Sequence, residues 1–224
     1  MFGTDGVRDI ANIGLMTPET AMKLGRAFTV FLINRGAEGP RIAVGRDTRC
    51  SGQMIESALS AGITSAGGNV YSIGEIPTPG VSFSVASGHF DGGAVISASH
   101  NPAEYNGIKY LDGDGFKLSD EEELEIEGLY ETDARSERPT HGAVGRIYDA
   151  GELTGKYLNF LLGIMEKVEN RDHSILIDAA NGAASALVEP LFKNWKGPVS
   201  ILANQPDGLN INSGVGVTNM DFLR

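Results

Sequence analysis

Apolar and polar positions along this chain switch between a helical period and short continuous runs, and the switches mark its elements. In "TPETAMKLGRAFTVFLINRG", Met22, Leu24, Ala27, Phe28, Phe31 and Leu32 form one helical stripe. Thr17 as N-cap, Pro18 in the first turn and Gly36 past the last apolar residue set its ends. "RIAVG" then predicts a short buried strand, "SGQMIESALSAGITSAGG" a helix, "NVYSIGEI" a strand and "TPGVSFSVASG" a helix after Pro79. "GAVIS" and "GIKYL" predict two more strands. Ser119 and Glu122 have capping-box spacing and open a helix. Eight of the fourteen residues from Asp120 to Asp133 are acidic, which reads as a solvated helix face with favourable charge at its N-terminus rather than a metal site.

"TDARSERPTHGAVG" is polar, is broken by Pro139 and reads as a linker or hairpin. The pattern then restarts, with a helix in "AGELTGKYLNFLLGIME", a strand in "SILIDAANG", a helix in "AASALVEPLFKNW" and a strand in "VSILAN". A boundary is expected near residues 140 to 150, giving a first domain over 1–145 and a second over 146–224. The alternation of strands and helices predicts an α/β class of layered α/β/α domains with mixed sheets. Polar loops follow "AVIS" and "ILID" at similar places in the two halves, as duplicated units would have. The second half holds one helix-separated strand pair, too thin a layer for a whole domain. The chain therefore reads as a fragment with its first domain complete and its second partial.

Composition narrows the function. Hydrophobic residues make up 41% and charged residues 21% of the 224, enough to bury a core in a soluble globular protein. The net charge of −11 opposes binding to nucleic acid or an anionic membrane. Within that acidic chain, "RIAVGRDTR" gathers Arg41, Arg46 and Arg49 and suggests a small anionic ligand. One cysteine, Cys50, cannot form an intrachain disulfide, and the charged N-terminus has no apolar core of a signal peptide. No apolar run approaches the roughly 20 residues of a membrane span. The expectation is a cytoplasmic protein; its oligomeric state is not legible in the sequence.

In open α/β sheets ligands gather beyond the carboxyl ends of the strands. "GRDTRCSG", the loop from Ser97 to Gly107, and "DAANGAAS" all follow short buried strands and are expected to share one crevice. Ser99 and His100 invite comparison with a hydrolase pair. Adjacent residues, however, rarely form the hydroxyl–imidazole bond a triad needs, and no G-x-S-x-G elbow surrounds them. A phosphate-handling loop and a structural polar loop both remain open on spacing. Ser97, Ser99 and Asn101 offer short donors, Lys109 a cation, and Pro102 a stiff turn. There is no G-x-G-x-x-G after the first strand and no P-loop.

"ISASHNPAEYNGIK" closely resembles the phosphoserine loop of the α-D-phosphohexomutase superfamily, written (T/S)-x-S-H-N-P. "FGTDGVR", "GRDTRCSG", "PTPGV", "DAANGAAS" and "GLNINSGVG" agree with further family segments in the same order, from Phe2 to about Val217. The resemblance implies reversible phosphoryl transfer between the 1- and 6-positions of a hexose or hexosamine phosphate, through a bound sugar 1,6-bisphosphate, with Mg²⁺. It maps the phosphoryl carrier onto Ser99, which would also meet the metal through its phosphate. Arg8 and Lys109 would offset charge on the transferring group, and His100 would handle a proton or orient the sugar hydroxyl.

Arg46 is a phosphate-binding candidate, with a salt bridge to Asp47 or another carboxylate explaining it equally well. Asn101 is a substrate-side candidate that reads more readily as a holder of the loop's backbone. "FGTDGVR" and "ISASHNP" favour the branch interconverting glucosamine 6-phosphate and glucosamine 1-phosphate over the mannose and glucose branches. A non-catalytic phosphosugar-binding module is the alternative of a different class. The family's metal motif D-G-D-x-D-R is absent: "DGDG" at Asp112–Gly115 continues into Phe116 and Lys117 and reads as a hairpin turn. The metal's Asp ligands are thus expected beyond this chain, and effective mutase turnover is not expected of it alone.

Overall fold

The computed structural model describes residues 1–3, 6–133, 138–169 and 171–223. Thr4 and Asp5 of "FGTDGVR" and residues 134–137 of the expected linker lie outside the described residues. In chain order the elements are β1 (Val7–Ile10), α1 (Pro18–Asn34), β2 (Arg41–Arg46), α2 (Gly52–Ser65), β3 (Asn69–Glu75), α3 (Thr78–Gly88), β4 (Gly92–Ile96), β5 (Tyr105–Leu111), α4 (Asp120–Glu131), β6 (Ile147–Asp149), α5 (Glu152–Met165), β7 (Ile175–Asp178), α6 (Ser185–Phe192) and β8 (Val199–Leu202). Short 3-10 turns occupy His141–Ala143 and Met220–Leu223.

Local chemistry sets the helix ends. Thr17 accepts the Thr20 N–H at the start of α1, with Pro18 behind it. Ser119 and Glu122 form the reciprocal capping box of α4. Asp112 accepts the N–H groups of Asp114 and Phe116 at 3.0 and 2.9 Å, so "DGDG" is the hairpin turn its position implied. The acidic face of α4 is only partly solvated. Glu123 is buried and pairs with Lys117, while Arg35 pairs with Glu122 and Glu125.

Six strands form one mixed sheet in the order β1-β5-β4-β2-β3-β6. β4, β2, β3 and β6 are parallel, and β5 and β1 add antiparallel at one edge. Strand alternation splits the core between the two faces of this sheet. Ile42, Val44, Ala94, Ile96, Ile108 and Tyr110 pack with apolar residues of α1 and α2. Ala43, Val95 and Leu111 face the other way, toward α3 and α5. β7, α6 and β8 form a second parallel unit with its own two-stranded sheet. Among the described residues no helix is long and apolar enough to cross a membrane.

Candidate active site

The parallel order puts β2 beside β4, so the loops leaving their carboxyl ends lie side by side. After Ile96 the chain enters the Ser97–Gly107 loop. The Ser97 hydroxyl donates to Asp47 at 2.7 Å and accepts the Ser99 N–H at 3.0 Å. Ser99 has φ +56°, a left-handed conformation costing a non-glycine residue roughly 1–2 kcal/mol. Its carbonyl accepts from Arg49 Nη2 at 3.1 Å and Asn212 Nδ2 at 2.9 Å. The Asn101 carbonyl takes the same two donors, at 2.9 and 3.0 Å. Arg49 Nη1 reaches the carbonyls of Pro102 and Tyr105, the latter at 2.9 Å. Ser99 and His100 are both exposed. No hydrogen bond among the described residues joins them, so the loop lacks the geometry of a hydrolase pair.

Strand register places the two expected cations. Arg8 lies opposite Gly107, and Lys109 lies opposite Val95, on the sheet face shared with Ser97. A Cβ on Gly107 would come within 2.7 Å of Arg8 Cγ and 2.8 Å of the Ser97 carbonyl. Only glycine lets the Arg8 side chain cross there at the base of the serine loop. A Cβ on Gly6 (φ +81°) would meet Lys109 Cβ at 3.0 Å, so the start of β1 packs directly on a lysine that is 9% exposed.

The arginine run "RIAVGRDTR" is not one anion site. Arg41 and Arg46 sit at opposite ends of a six-residue strand, about 17 Å apart at ~3.3 Å per residue, Arg49 lies in the loop beyond it, and each meets a different fate. Arg41, at the amino end, stacks over Tyr71 and Phe90. Arg46 is held by Glu56 at 3.0 Å and Glu75 at 2.7 Å, and lines a cavity of about 410 Å³ that does not include Ser99. Arg49 is fully buried and pairs with Asp47 at 2.9 Å.

The second unit completes the crevice. Asp178, at the end of β7, accepts the N–H groups of Ala180 at 2.8 Å and Gly216 at 2.6 Å. The Thr48 hydroxyl donates to the Asn181 carbonyl at 2.6 Å. One cavity of about 260 Å³ is lined by Asp47, Thr78, Ser97, Ser99 and Asn212, and a second of about 430 Å³ by Ser99, His100, Asp178, Asn212 and Met220. The three loops expected to share a crevice do meet at Ser99. Arg49, Asp178 and Asn212 carry structural weight there that their sequence context did not reveal. Arg49 was hidden in the arginine run, and Asn212 lies 113 residues from Ser99 in the chain.

These residues do not make a metal cage. Among the described residues no three His, Cys, Asp or Glu side chains are grouped so as to hold an ion. The carboxylates nearest the serine loop are already engaged, Asp47 by Arg49 and Ser97 and Asp178 by two backbone N–H groups.

Residues 1–137 match the family described as phosphoglucomutase/phosphomannomutase, alpha/beta/alpha domain I. The chain belongs to the phosphoglucomutase/phosphomannomutase family. A phosphoglucosamine mutase from Oceanobacillus iheyensis is 47% identical over 223 residues, covering 100% of this chain and 49% of that protein. One from Streptococcus mutans is also 47% identical, over 226 residues, with the same coverage. The chain thus spans about half the length of the curated relatives it matches. The crystal structure of a phosphoglucomutase/phosphomannomutase family protein from Burkholderia thailandensis superposes with a TM-score of 0.77 at 28% identity, over 92% of this chain and 44% of that one. Layered α/β units built on a mixed sheet are the fold this family shares.

Proposed function

We propose that this chain carries the phosphoryl-donor part of a phosphohexomutase that interconverts glucosamine 6-phosphate and glucosamine 1-phosphate. The observation that carries the reading is Ser99 itself: exposed, in a left-handed backbone conformation, on a loop whose carbonyls are held from behind. Strain maintained by surrounding hydrogen bonds on an exposed nucleophile-bearing loop points to function. The ~47% identity to phosphoglucosamine mutases favours the hexosamine substrate.

On this reading Ser99 Oγ carries a phosphoryl group. The P–Oγ bond breaks as a new P–O bond forms to the sugar's 1-hydroxyl oxygen. The hydroxyl proton passes by way of the His100 imidazole to Ser99 Oγ, leaving a neutral serine and a sugar 1,6-bisphosphate. The bisphosphate reorients and its O6–P bond breaks as a P–O bond forms to Ser99 Oγ; the serine proton passes back by way of the His100 imidazole to the sugar's O6, releasing the 1-phosphate. Arg8 and Lys109 oppose charge on the transferring oxygens. Asn101 contributes through its backbone carbonyl, and Arg46, committed to Glu56 and Glu75, is left out of the phosphate site.

Domain 1 then includes the serine loop. The pairing of β6 with β3 in the first sheet supports setting the boundary after Asp149, four residues beyond the 1–145 expected from the sequence. The remainder is part of domain 2. The acidic charge and single Cys50 suit a cytoplasmic enzyme of sugar phosphates.

Single-turnover discharge tests the substrate. The whole mutase carrying this segment, loaded from a hexose 1,6-bisphosphate in Mg²⁺ buffer, is mixed with glucosamine, mannose or glucose 6-phosphate, and loss of its phosphate is followed by intact mass. Glucosamine 6-phosphate should discharge it at least ~10-fold faster than the others, the low end of the discrimination one small distinguishing group provides. Faster discharge by mannose 6-phosphate would overturn the sugar, and no discharge by any of the three would overturn the reaction.

A further inference from the structure

The serine loop is held from two sides, and the two holders belong to different units. Arg49 reaches it from the loop after β2. Asn212 reaches it from the loop after β8, and its own N–H donates to the Ala180 carbonyl at 3.0 Å. The Arg49 Nη2 and Asn212 Nδ2 atoms converge on the same two acceptors, the carbonyls of Ser99 and Asn101. Each carbonyl has two lone pairs and receives two donors, so both are saturated. Because carbonyl oxygens only accept, Asn212 must present its NH₂ to them. Asn212 is itself left-handed, with φ +58°, a conformation Asn tolerates better than most residues.

We propose that Asn212 is a positioning residue that fixes the left-handed conformation of Ser99, making the second α/β unit part of the serine's geometry. Ser99 then presents its hydroxyl correctly only while the β7–β8 unit is docked against the loop. The 2.6 Å bond from the Thr48 hydroxyl to the Asn181 carbonyl fastens the same junction one step away. The functional half of this inference rests on Ser99 being the phosphoryl carrier; the conformational half does not.

Two substitutions separate positioning from packing. Asn212→Gly removes the amide and keeps the left-handed backbone free of strain. Asn212→Asp keeps the shape and tolerates the same backbone, but replaces the donors with a carboxylate facing two carbonyl oxygens. Amide hydrogen exchange across residues 97–107 reads the loop directly, and phosphoryl uptake from a hexose 1,6-bisphosphate reads its competence. Loss of the paired hydrogen bonds should speed loop exchange about tenfold in Asn212→Gly, and further in Asn212→Asp. Uptake should slow in the same order, with thermal midpoints near that of the parent.

A residue that merely fills space would give the opposite order, with Asp closest to the parent, and that result would overturn the inference. Parent-like exchange in both variants would also overturn it. If the parent protein takes up no phosphate while the exchange order holds, the carrier assignment fails and the clamp stands.

Discussion

Replacing Arg49 with Ala is expected to destabilise the protein by about 3–5 kcal/mol, the range for breaking a buried ion pair from one side. The Arg49 side chain is 0% exposed, and its partner Asp47 is 6% exposed. Truncation strands the Asp47 carboxylate with only the Ser97 hydroxyl and a backbone N–H for company. It also removes the guanidinium donors from the carbonyls of Ser99, Asn101, Pro102 and Tyr105. Set against a typical total stability of ~5–15 kcal/mol, that loss should shift the urea midpoint sharply. Arg49→Lys keeps the charge beside Asp47 but cannot span four acceptors with one ammonium, so it should fall between the two. A loss below about 1 kcal/mol for Arg49→Ala would mean that the charge is hydrated, contrary to its burial.

Gly62→Ala and Gly128→Ala should shift stability in opposite directions, although both replace a helical glycine. At Gly62 a Cβ would lie 1.9 Å from the Met22 carbonyl oxygen, and at Gly25, across the same helix contact, 2.3 Å from the Leu59 carbonyl oxygen. α1 and α2 therefore touch backbone to backbone, and a methyl group there must push a whole helix away. The overpacking cost, ~1–3 kcal/mol and at its upper end when backbone is struck, exceeds the helix-propensity gain of up to ~1 kcal/mol. Gly128 in α4 has nothing within 4 Å of its would-be Cβ, so only the propensity gain of roughly 0.5–1 kcal/mol remains. Urea unfolding of both variants checks the signs. A stabilised Gly62→Ala would contradict the close helix contact.

The helices and central strands were legible because their patterns are strong: a capped apolar stripe for α1, and continuous apolar runs for β2 and β4, which are covered on both faces. β1 and β6 are not legible in the sequence because both sit at sheet edges. "VRDI" carries two charges, and "IYD" is exposed throughout, so neither shows the apolar run of a central strand. The same limit applies at the site. Ser99, Arg8 and Lys109 were nameable from motifs, and strand parity then puts both cations on the face of Ser97. The fates of Arg41, Arg46 and Arg49 depend on which strand lies beside β2 and on which carboxylates it brings, and no local pattern encodes that. Asn212 meets Ser99 only through the docking of a second sheet.

The most direct test of Ser99 as phosphoryl carrier is phosphopeptide mapping after exposure to a hexose 1,6-bisphosphate in Mg²⁺ buffer. The whole protein carrying this segment, as parent, and its Ser99→Ala variant are treated alike, and intact mass is read before digestion. The predicted result is one phosphate per chain in the parent, located on Ser99, and none in Ser99→Ala. A parent that stays unphosphorylated, or a phosphate that maps elsewhere and survives in Ser99→Ala, would contradict it.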